Sequence, residues 1–236
     1  MTLALLARLN IRPPARILDT GCGRGTTLEA LERQGYRVIG ADISRRALER
    51  LDRPDRELVE LDLTKPLPPK AGGYDAVLAL DVIEHLDDDR SAVGRLGELT
   101  RPGGFVVISV PARPDLFSEF DVIQGHRRRY LPDSLKAAFQ GHQLEIERIF
   151  WWGAWMVPLI SRTRSRPKGA AHETVAQTYC RYVRLPPWPA PIAMQLAFAM
   201  EQRRALGGKL RSGTSLFAVA RRTLKEPAAC AAQPPT

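Results

Sequence analysis

The chain has 236 residues and a net charge of +9, with 35 Lys and Arg against 26 Asp and Glu. This length allows one sizeable core with a small appended element, and an apolar fraction of 44% argues against wholesale disorder. The opening MTLALLARLN is too short for a signal peptide, and three widely spaced cysteines without a CxxC pair predict neither a disulfide framework nor a metal site. We therefore expect a cytoplasmic protein that holds no metal.

The positive charge lies in the second half of the chain. Residues 1–112 carry 16 Lys and Arg against 17 Asp and Glu, whereas residues 113–236 carry 19 against 9. A neutral half joined to a basic half predicts a common module followed by a region that faces a partner.

The first half alternates short apolar strands with helices, a spacing that predicts parallel βαβ units and a doubly wound sheet. Ser44 is the expected N-cap of the second helix. The sequence RPGG at 101–104 is expected to end the helix predicted at 89–100. The predicted elements are, in chain order, a strand at 16–20, a helix at 26–34, a strand at 36–43, a helix at 44–51, strands at 58–63 and 74–82, a helix at 89–100 and a strand at 105–110.

The second half is less regular. It predicts a helix at 132–140, a sixth strand at 144–152, an apolar helix at 192–206 and a last strand at 214–222. About sixty residues separate the last two strands, far more than a hairpin needs, so we expect an insertion with its own role. The Ala- and Pro-rich tail from residue 226 is expected to be disordered.

A glycine-rich turn between the first strand and the first helix brings backbone N–H groups close to a ligand. The sequence ILDTGCGRGT puts Thr26 where the dinucleotide fingerprint has its third glycine, which counts against NAD, NADP and FAD. A Walker loop is excluded because no Gly-Lys-Ser/Thr follows. Asp42, at the end of the second strand, can accept two hydrogen bonds from ribose hydroxyls, which favours a nucleoside ligand of either cofactor class.

Five segments, ILDTGCGRG, VIGADIS, VELDLTKPLP, YDAVLALDVIEHL and RPGGFVVISVP, follow one another at successive predicted strand ends. Together they resemble the class I S-adenosylmethionine-dependent methyltransferases, of the type that methylates quinones and other small molecules, over roughly residues 10–150. The resemblance implies an α/β fold with a Rossmann-like, doubly wound sheet of seven strands, parallel with an antiparallel last strand. It divides the chain into a core at 1–150, a helical insertion or lid at 151–213, a last core strand at 214–225 and a tail at 226–236.

The resemblance also implies S-adenosylmethionine as cofactor and S-adenosylhomocysteine as product. Asp19 and the glycine loop would hold the methionine moiety, and Asp42 the ribose. Asp62 and its neighbour would meet the adenine, and Asp81 and its neighbour would flank the methyl group. The expected cofactor contacts are Asp19, Gly21, Cys22, Gly23, Gly25, Asp42, Ile43, Asp62, Leu63, Asp81 and Val82.

Methyl transfer to a hydroxyl benefits from a base, and histidine suits that task at neutral pH. His85 follows the fourth strand and His126 lies in GHRRRY, so each is a candidate base or a histidine that only binds loop backbone. Arg127, Arg128 and Arg129 of GHRRRY are expected either to bind an anionic acceptor or to form a solvated run of charge. Tyr130 is expected either to pack against the acceptor or to anchor the loop. The expected acceptor contacts are Glu84, His85, His126, Arg127, Arg129, Tyr130 and Trp152.

The sequence FWWGAWMVPLI at 150–160 runs straight into the basic SRTRSRPK. It is too short to span a bilayer, and it is typical either of a segment lying on an anionic membrane, at its inner face, or of a lid over the acceptor. Nucleic acid is a less favoured partner because no binding motif accompanies the basic residues, and nothing in the sequence indicates the oligomeric state.

We therefore expect a methyltransferase acting on a small, amphipathic or anionic acceptor, at oxygen before carbon or nitrogen. The alternatives are an NAD(P)-dependent oxidoreductase, an inactive cofactor-binding scaffold, and an RNA or protein acceptor.

Overall fold

The structure is a computed structural model that describes residues 1–68, 72–164 and 190–224. The strands are β1 (Arg16–Thr20), β2 (Arg37–Asp42), β3 (Glu57–Glu60), β4 (Tyr74–Leu80), β5 (Thr100–Pro111), β6 (Leu144–Trp152) and β7 (Ser215–Arg222). The helices are α1 (Thr2–Arg8), α2 (Thr26–Glu32), α3 (Arg45–Leu51), α4 (Asp89–Leu99), α5 (Glu119–Ile123), α6 (Pro132–Ala138), α7 (Val157–Arg164) and α8 (Ala190–Leu206). A 3-10 turn, Ile83–His85, follows β4.

These strands form one sheet in the order β3-β2-β1-β4-β5-β7-β6. Strands β1 to β5 run parallel to one another, and β7 runs antiparallel to both β5 and β6. The predicted seven-stranded, doubly wound sheet with an antiparallel last strand is therefore confirmed. The direction of winding reverses between β1 and β4, and ligands of such sheets bind at this point, outside the carboxyl ends of the strands.

Helices cover both faces of the sheet. On one face, α4 and α6 pack through buried residues such as Val93, Leu96 and Leu135. On the other face, α1, α2, α3 and the end of α8 pack through residues such as Leu6 and Leu28. Because both faces are covered, the central strand β4 is a continuous apolar run rather than an alternating one.

Several boundaries differ from the sequence prediction. Strand β3 ends at Glu60, so the segment through residue 63 is a turn, and α4 ends one residue before β5 begins. The RPGG at 101–104 is itself part of β5, where Gly103 has a φ of +76° and the pairing with β4 shifts register. Helices α1 and α5 were not predicted, because each is short and shows no long apolar period.

The insertion is described only in part, as α7 and α8. Glu201 anchors α8 to the end of β6: its buried carboxylate accepts the backbone N–H groups of Gly153 at 2.6 Å and Ala154 at 2.8 Å. No helix in the described ranges is both long and apolar enough to cross a membrane. The second half of SRTRSRPK, residues 165–168, and the tail from residue 226 lie outside the described residues.

Candidate functional site

The glycine loop joins β1 to α2 and lies at the carboxyl edge of the sheet. Gly21 has a φ of +67°, and a Cβ there would lie 2.5 Å from Val82 Cγ2, so the segment after β4 packs directly on this residue. Gly23 has a φ of +53°, but a Cβ there would meet only the Gly21 carbonyl, at 3.8 Å. One side of the loop therefore packs on the protein, while its tip leaves room for a ligand against bare backbone.

Asp42 ends β2 and is tied to the loop. Its two carboxylate oxygens accept the N–H groups of Gly23 at 2.9 Å and Ser44 at 2.8 Å. Each oxygen has a second lone pair, so the carboxylate can still accept hydrogen bonds from a ligand. Ile43 follows directly and is 63% exposed, which places an uncovered apolar surface beside a carboxylate suited to a ribose.

Asp19, at the end of β1, carries a buried carboxylate. It is only 2% exposed, and its Oδ2 has no hydrogen-bond partner among the described residues. Burial, followed by repulsion from Asp42, raises the pKa of Asp19 to about 7. The same burial, with Asp19 and Asp42 nearby, raises the pKa of the Cys22 thiol to about 12, so this cysteine is an inert small side chain in the loop.

Asp62 lies beyond the end of β3 and is used within its own turn. Its Oδ1 accepts the Thr64 hydroxyl at 2.6 Å and the Thr64 N–H at 2.9 Å, and Lys65 Nζ lies 3.3 Å from Oδ2. The hydrogen bonds from Thr64 lower the pKa of Asp62. Leu63 is buried behind this turn, and its carbonyl accepts a hydrogen bond from Arg95.

Asp81 leaves β4 with a φ of +55°, a conformation that non-glycine residues seldom adopt. Its N–H donates to the Ser109 carbonyl at 2.9 Å, and the Ser109 hydroxyl donates to its Oδ1 at 3.3 Å. Desolvation by the surrounding protein raises the pKa of Asp81, although solvent reaches the residue at the sheet edge, and Ser109 and His126 oppose the shift. The strained turn fixes a carboxylate beside the glycine loop.

Glu84, in the 3-10 turn after β4, has no exposed surface, and neither carboxylate oxygen has a hydrogen-bond partner in the described part of the chain. Burial, and then Asp81, raise the pKa of Glu84 to about 9. His126 Nε2 lies 4.0 Å from Glu84 Oε1. The rings of His85 and His126 meet edge to face with centroids 4.8 Å apart, so the structure brings all three predicted residues together.

Each of the two imidazoles has a hydrogen-bond acceptor close to its Nδ1 atom. His126 Nδ1 lies 3.2 Å from Oδ1 of the fully buried Asp121, which also accepts Arg129 Nε at 2.7 Å. His85 Nδ1 lies 3.2 Å from the Gly125 carbonyl, which requires a proton on Nδ1 if the two are hydrogen bonded. Burial, and then His126, lower the pKa of His85.

Asp121 was not among the predicted site residues. A local signal was available in SEFD, where the Ser118 N–H donates to the Asp121 carboxylate in a capping box at the start of α5. That signal indicates a helix start and gives no hint of the contact with His126, which arises only in the folded chain.

The other predicted acceptor residues have different surroundings. The half-exposed side chain of Arg127 forms an ion pair with Asp87 at 2.6 Å. Tyr130 is 1% exposed and its hydroxyl donates to Asp89 at 2.7 Å, which favours the interpretation that this tyrosine anchors the loop. Arg129 is also buried, and it forms an ion pair with Asp121. The ring of Trp152, at the far edge of the sheet, stacks on Phe198 of α8 with centroids 5.2 Å apart.

Comparison with known proteins identifies the family and the fold of this chain. A family model described as a methyltransferase domain matches residues 2–149. A ubiquinone biosynthesis O-methyltransferase of Alkalilimnicola ehrlichii is 35% identical over 103 residues, which are 40% of this chain and 40% of that protein, so the match spans well under half of the curated relative.

Two solved structures share the fold at low identity. One is a chain from the complex that contains the Haloferax volcanii Trm112 methyltransferase activator, with a TM-score of 0.61, 16% identity, and coverage of 96% of this chain and 90% of that one. The other is the [4+2]-cyclase SpnF, with a TM-score of 0.59, 16% identity, and coverage of 95% and 80%.

The chain belongs to the methyltransferase-domain family, and its sheet is that of the class I S-adenosylmethionine-dependent methyltransferases. The resemblance drawn from the five sequence segments is thereby confirmed.

Proposed function

We propose that the protein transfers a methyl group from S-adenosylmethionine to a hydroxyl oxygen of a small, amphipathic or anionic molecule. The observation that carries this proposal is the placement of two chemically different clusters of ionisable side chains at one sheet edge. The unpaired Asp19 lies by the glycine loop after β1, and the buried Glu84 with its two histidines lies after the adjacent β4.

The residues around the loop fit the expected cofactor. S-adenosylmethionine supplies a methyl group on a positively charged sulfur, next to an amino-acid ammonium and an adenosine. The buried carboxylate of Asp19 offers the counter-charge that an ammonium needs, and Asp42 offers acceptors for ribose hydroxyls. Exposed Ile43 offers apolar surface for a base, and the roles of Asp62 and Leu63 towards adenine remain a proposal from the resemblance.

The acceptor is proposed to bind over the Glu84–His85–His126 cluster. A hydroxyl oxygen attacks a methyl group well only after losing its proton, and a positioned base contributes about 10²–10⁴-fold to such a step. His85 and His126 are the candidate bases, and the remaining rate enhancement comes from proximity and alignment. The Alkalilimnicola relative is a ubiquinone biosynthesis O-methyltransferase, and this relationship supports oxygen as the methylated atom.

A screen with labelled methyl donor tests the proposal. The protein is incubated with S-adenosylmethionine carrying a labelled methyl group and with quinone, lipid and sugar extracts, and labelled products are identified by mass spectrometry. We expect label in a small hydroxyl-bearing molecule, with turnover lowered at least tenfold in His126→Gln and unchanged in His142→Gln, a histidine outside the cluster. Binding of the donor without transfer to any extract would instead support an inactive scaffold or a different reaction on this fold, such as that of the cyclase neighbour.

The rival classes make different predictions. An oxidoreductase would bind NAD(H) and not S-adenosylmethionine. An RNA or protein acceptor would carry the label into macromolecules rather than into the small-molecule fraction.

We further propose that the protein, in the cytoplasm, makes peripheral contact with an anionic membrane. Three large apolar side chains lie exposed at four-residue spacing along α8: Ile192 at 49%, Leu196 at 60% and Met200 at 69%. Two arginines occupy the last turn of the same helix. An apolar stripe that ends in basic residues is typical of a helix lying in a membrane interface.

Vesicle sedimentation tests this contact. We expect the protein to sediment with vesicles of phosphatidylglycerol and phosphatidylcholine, and less with phosphatidylcholine alone. Leu196→Glu should weaken sedimentation more than Gln195→Glu, which adds the same charge at the neighbouring position. Equal sedimentation of the two variants, or no binding at low salt, would contradict the proposal and favour the lid interpretation.

A further inference from the structure

The side chains of Glu84, His85 and His126 form a cluster that base catalysis alone does not explain. One ligand-type atom from each residue lies within 4.8 Å of the others, and Glu84 is completely buried with both oxygens unpaired. An unpaired buried carboxyl costs free energy even when it is neutral, and it is retained where something else satisfies it.

The surroundings prepare both imidazoles as ligands. A carboxylate on Nδ1 of His126 and a carbonyl on Nδ1 of His85 each favour the tautomer with its proton on Nδ1, which leaves Nε2 as the electron-pair donor. Metal-binding histidines are typically oriented in this way by a carboxylate or a carbonyl behind the ring. For His126, that carboxylate is the buried Asp121.

The charges that face the cluster are also compatible with a cation. Asp81 lies close enough to act on both Glu84 and His126. The charge of Arg129 also acts on Glu84 and Asp81, but its hydrogen bonds go elsewhere, from Nε to Asp121 and from Nη1 to the Ala112 carbonyl. That arginine therefore leaves the Glu84 carboxyl without a hydrogen bond, although its charge is within reach.

We propose that Glu84, His85 and His126 bind one divalent transition-metal ion of the Zn²⁺ type. Two imidazole nitrogens and one carboxylate oxygen suit such an ion better than Mg²⁺, which prefers oxygen ligands, and they leave coordination positions open. Bonds of about 2.0–2.2 Å require ligand atoms roughly 3–3.5 Å apart, so the side chains must move together by up to about 1.5 Å. The expectation of a metal-free site rested on the number and spacing of the cysteines, which cannot reveal histidine and glutamate ligands that lie up to 42 positions apart, from Glu84 to His126.

This inference rests on the proposed function for its chemical consequence. When an acceptor hydroxyl binds the ion, its pKa falls and its proton passes to solvent. The oxygen then forms its bond to the methyl carbon as the carbon–sulfur bond breaks, and neutral S-adenosylhomocysteine leaves. In this reaction the two histidines are ligands, and the ion replaces them as the means of activating the hydroxyl.

Titration of the chelator-treated full-length protein with Co²⁺ alone tests the binding. We expect one equivalent to bind with visible d–d absorption, and Zn²⁺ to displace it. Glu84→Gln, His85→Gln and His126→Gln should each weaken binding at least tenfold, whereas His142→Gln should leave it unchanged. Circular dichroism and S-adenosylmethionine binding show whether each variant is folded. If Glu84→Gln does not fold, His85→Gln still tests the metal site, because His85 is a partly exposed member of the cluster.

The outcome separates this inference from the proposed function. No Co²⁺ binding by the wild type, or equal binding by the cluster variants and His142→Gln, overturns the metal site. Methyl transfer that persists undiminished in chelator would overturn its catalytic role while leaving the proposed function intact. Co²⁺ binding without any binding of S-adenosylmethionine would retain the metal site and overturn the proposed function.

Discussion

Replacing Asp19 with asparagine should stabilise the protein without ligand, because this carboxylate is ionised in an unfavourable place. Below about pH 4 the group is neutral in both the folded and the unfolded chain, and it contributes nothing. Between pH 4 and 7 the unfolded chain ionises first, so stability falls as the pH rises, and above the folded pKa of about 7 the penalty is constant.

The magnitude follows from the shift. The pKa rises from 3.8 to about 7, and roughly three pKa units correspond to about 4 kcal/mol as an upper limit. Asp19→Asn keeps the size of the side chain and removes the charge. We expect its free energy of unfolding to exceed that of the wild type by up to about 4 kcal/mol at pH 8, with the difference vanishing near pH 4.

Urea unfolding of both proteins between pH 4 and 8.5 measures this difference. Asp75→Asn is a matched control with the opposite sign: burial raises the pKa of Asp75, but hydrogen bonds from Arg101 and Arg16 outweigh it and the net pKa is lowered. That variant should lose stability at neutral pH.

Asp19→Asn should also weaken cofactor binding. An ionised Asp19 is proposed to pair with an ammonium, and loss of a charged hydrogen bond costs about 1.5–3 kcal/mol, or roughly 10–100-fold in affinity. An Asp19→Asn variant that is no more stable than the wild type at pH 8, with the same pH dependence, would refute the reasoning about the buried carboxylate.

Two further predictions concern the frame of the site. Gly21→Ala should lower the free energy of unfolding by about 2–3 kcal/mol, because it combines a positive φ with a clash on Val82. Gly23→Ala should lower it by only about 1–2 kcal/mol, for its backbone conformation, yet it should weaken cofactor binding. Equal losses of stability in thermal melts would contradict the packing described for the loop. Glu201→Gln should destabilise the chain by about 1.5–3 kcal/mol in urea, since a neutral amide accepts the N–H groups after β6 less strongly, and a variant as stable as the wild type would show that this anchor is unimportant.

The sheet edge was predictable because the sequence repeats one local pattern there. Each of Asp19, Asp42 and Asp81 follows or closes an apolar run, and carboxyl ends of parallel strands must meet at one edge. The Ser44 N-cap was equally local, and its side chain does accept the Ala47 N–H.

What could not be predicted depends on contacts between distant segments. The contact of His126 with Glu84 forms when the chain after α5 folds back over the turn after β4, and the burial of Tyr130 on Asp89 has the same origin. The helix α4 does end before RPGG, as expected, but the start of β5 was predicted at residue 105 instead of Thr100. Glycine and proline usually lie between elements, whereas here a positive φ at Gly103 forms an irregularity within β5.

Calorimetric titration with S-adenosylmethionine and, separately, with NAD⁺ tests the proposed cofactor most directly. We expect one S-adenosylmethionine per chain, affinity at least tenfold weaker in Asp42→Ala, and no heat with NAD⁺. Binding of NAD⁺ without binding of S-adenosylmethionine would contradict the assignment of the glycine loop and of the proposed reaction with it.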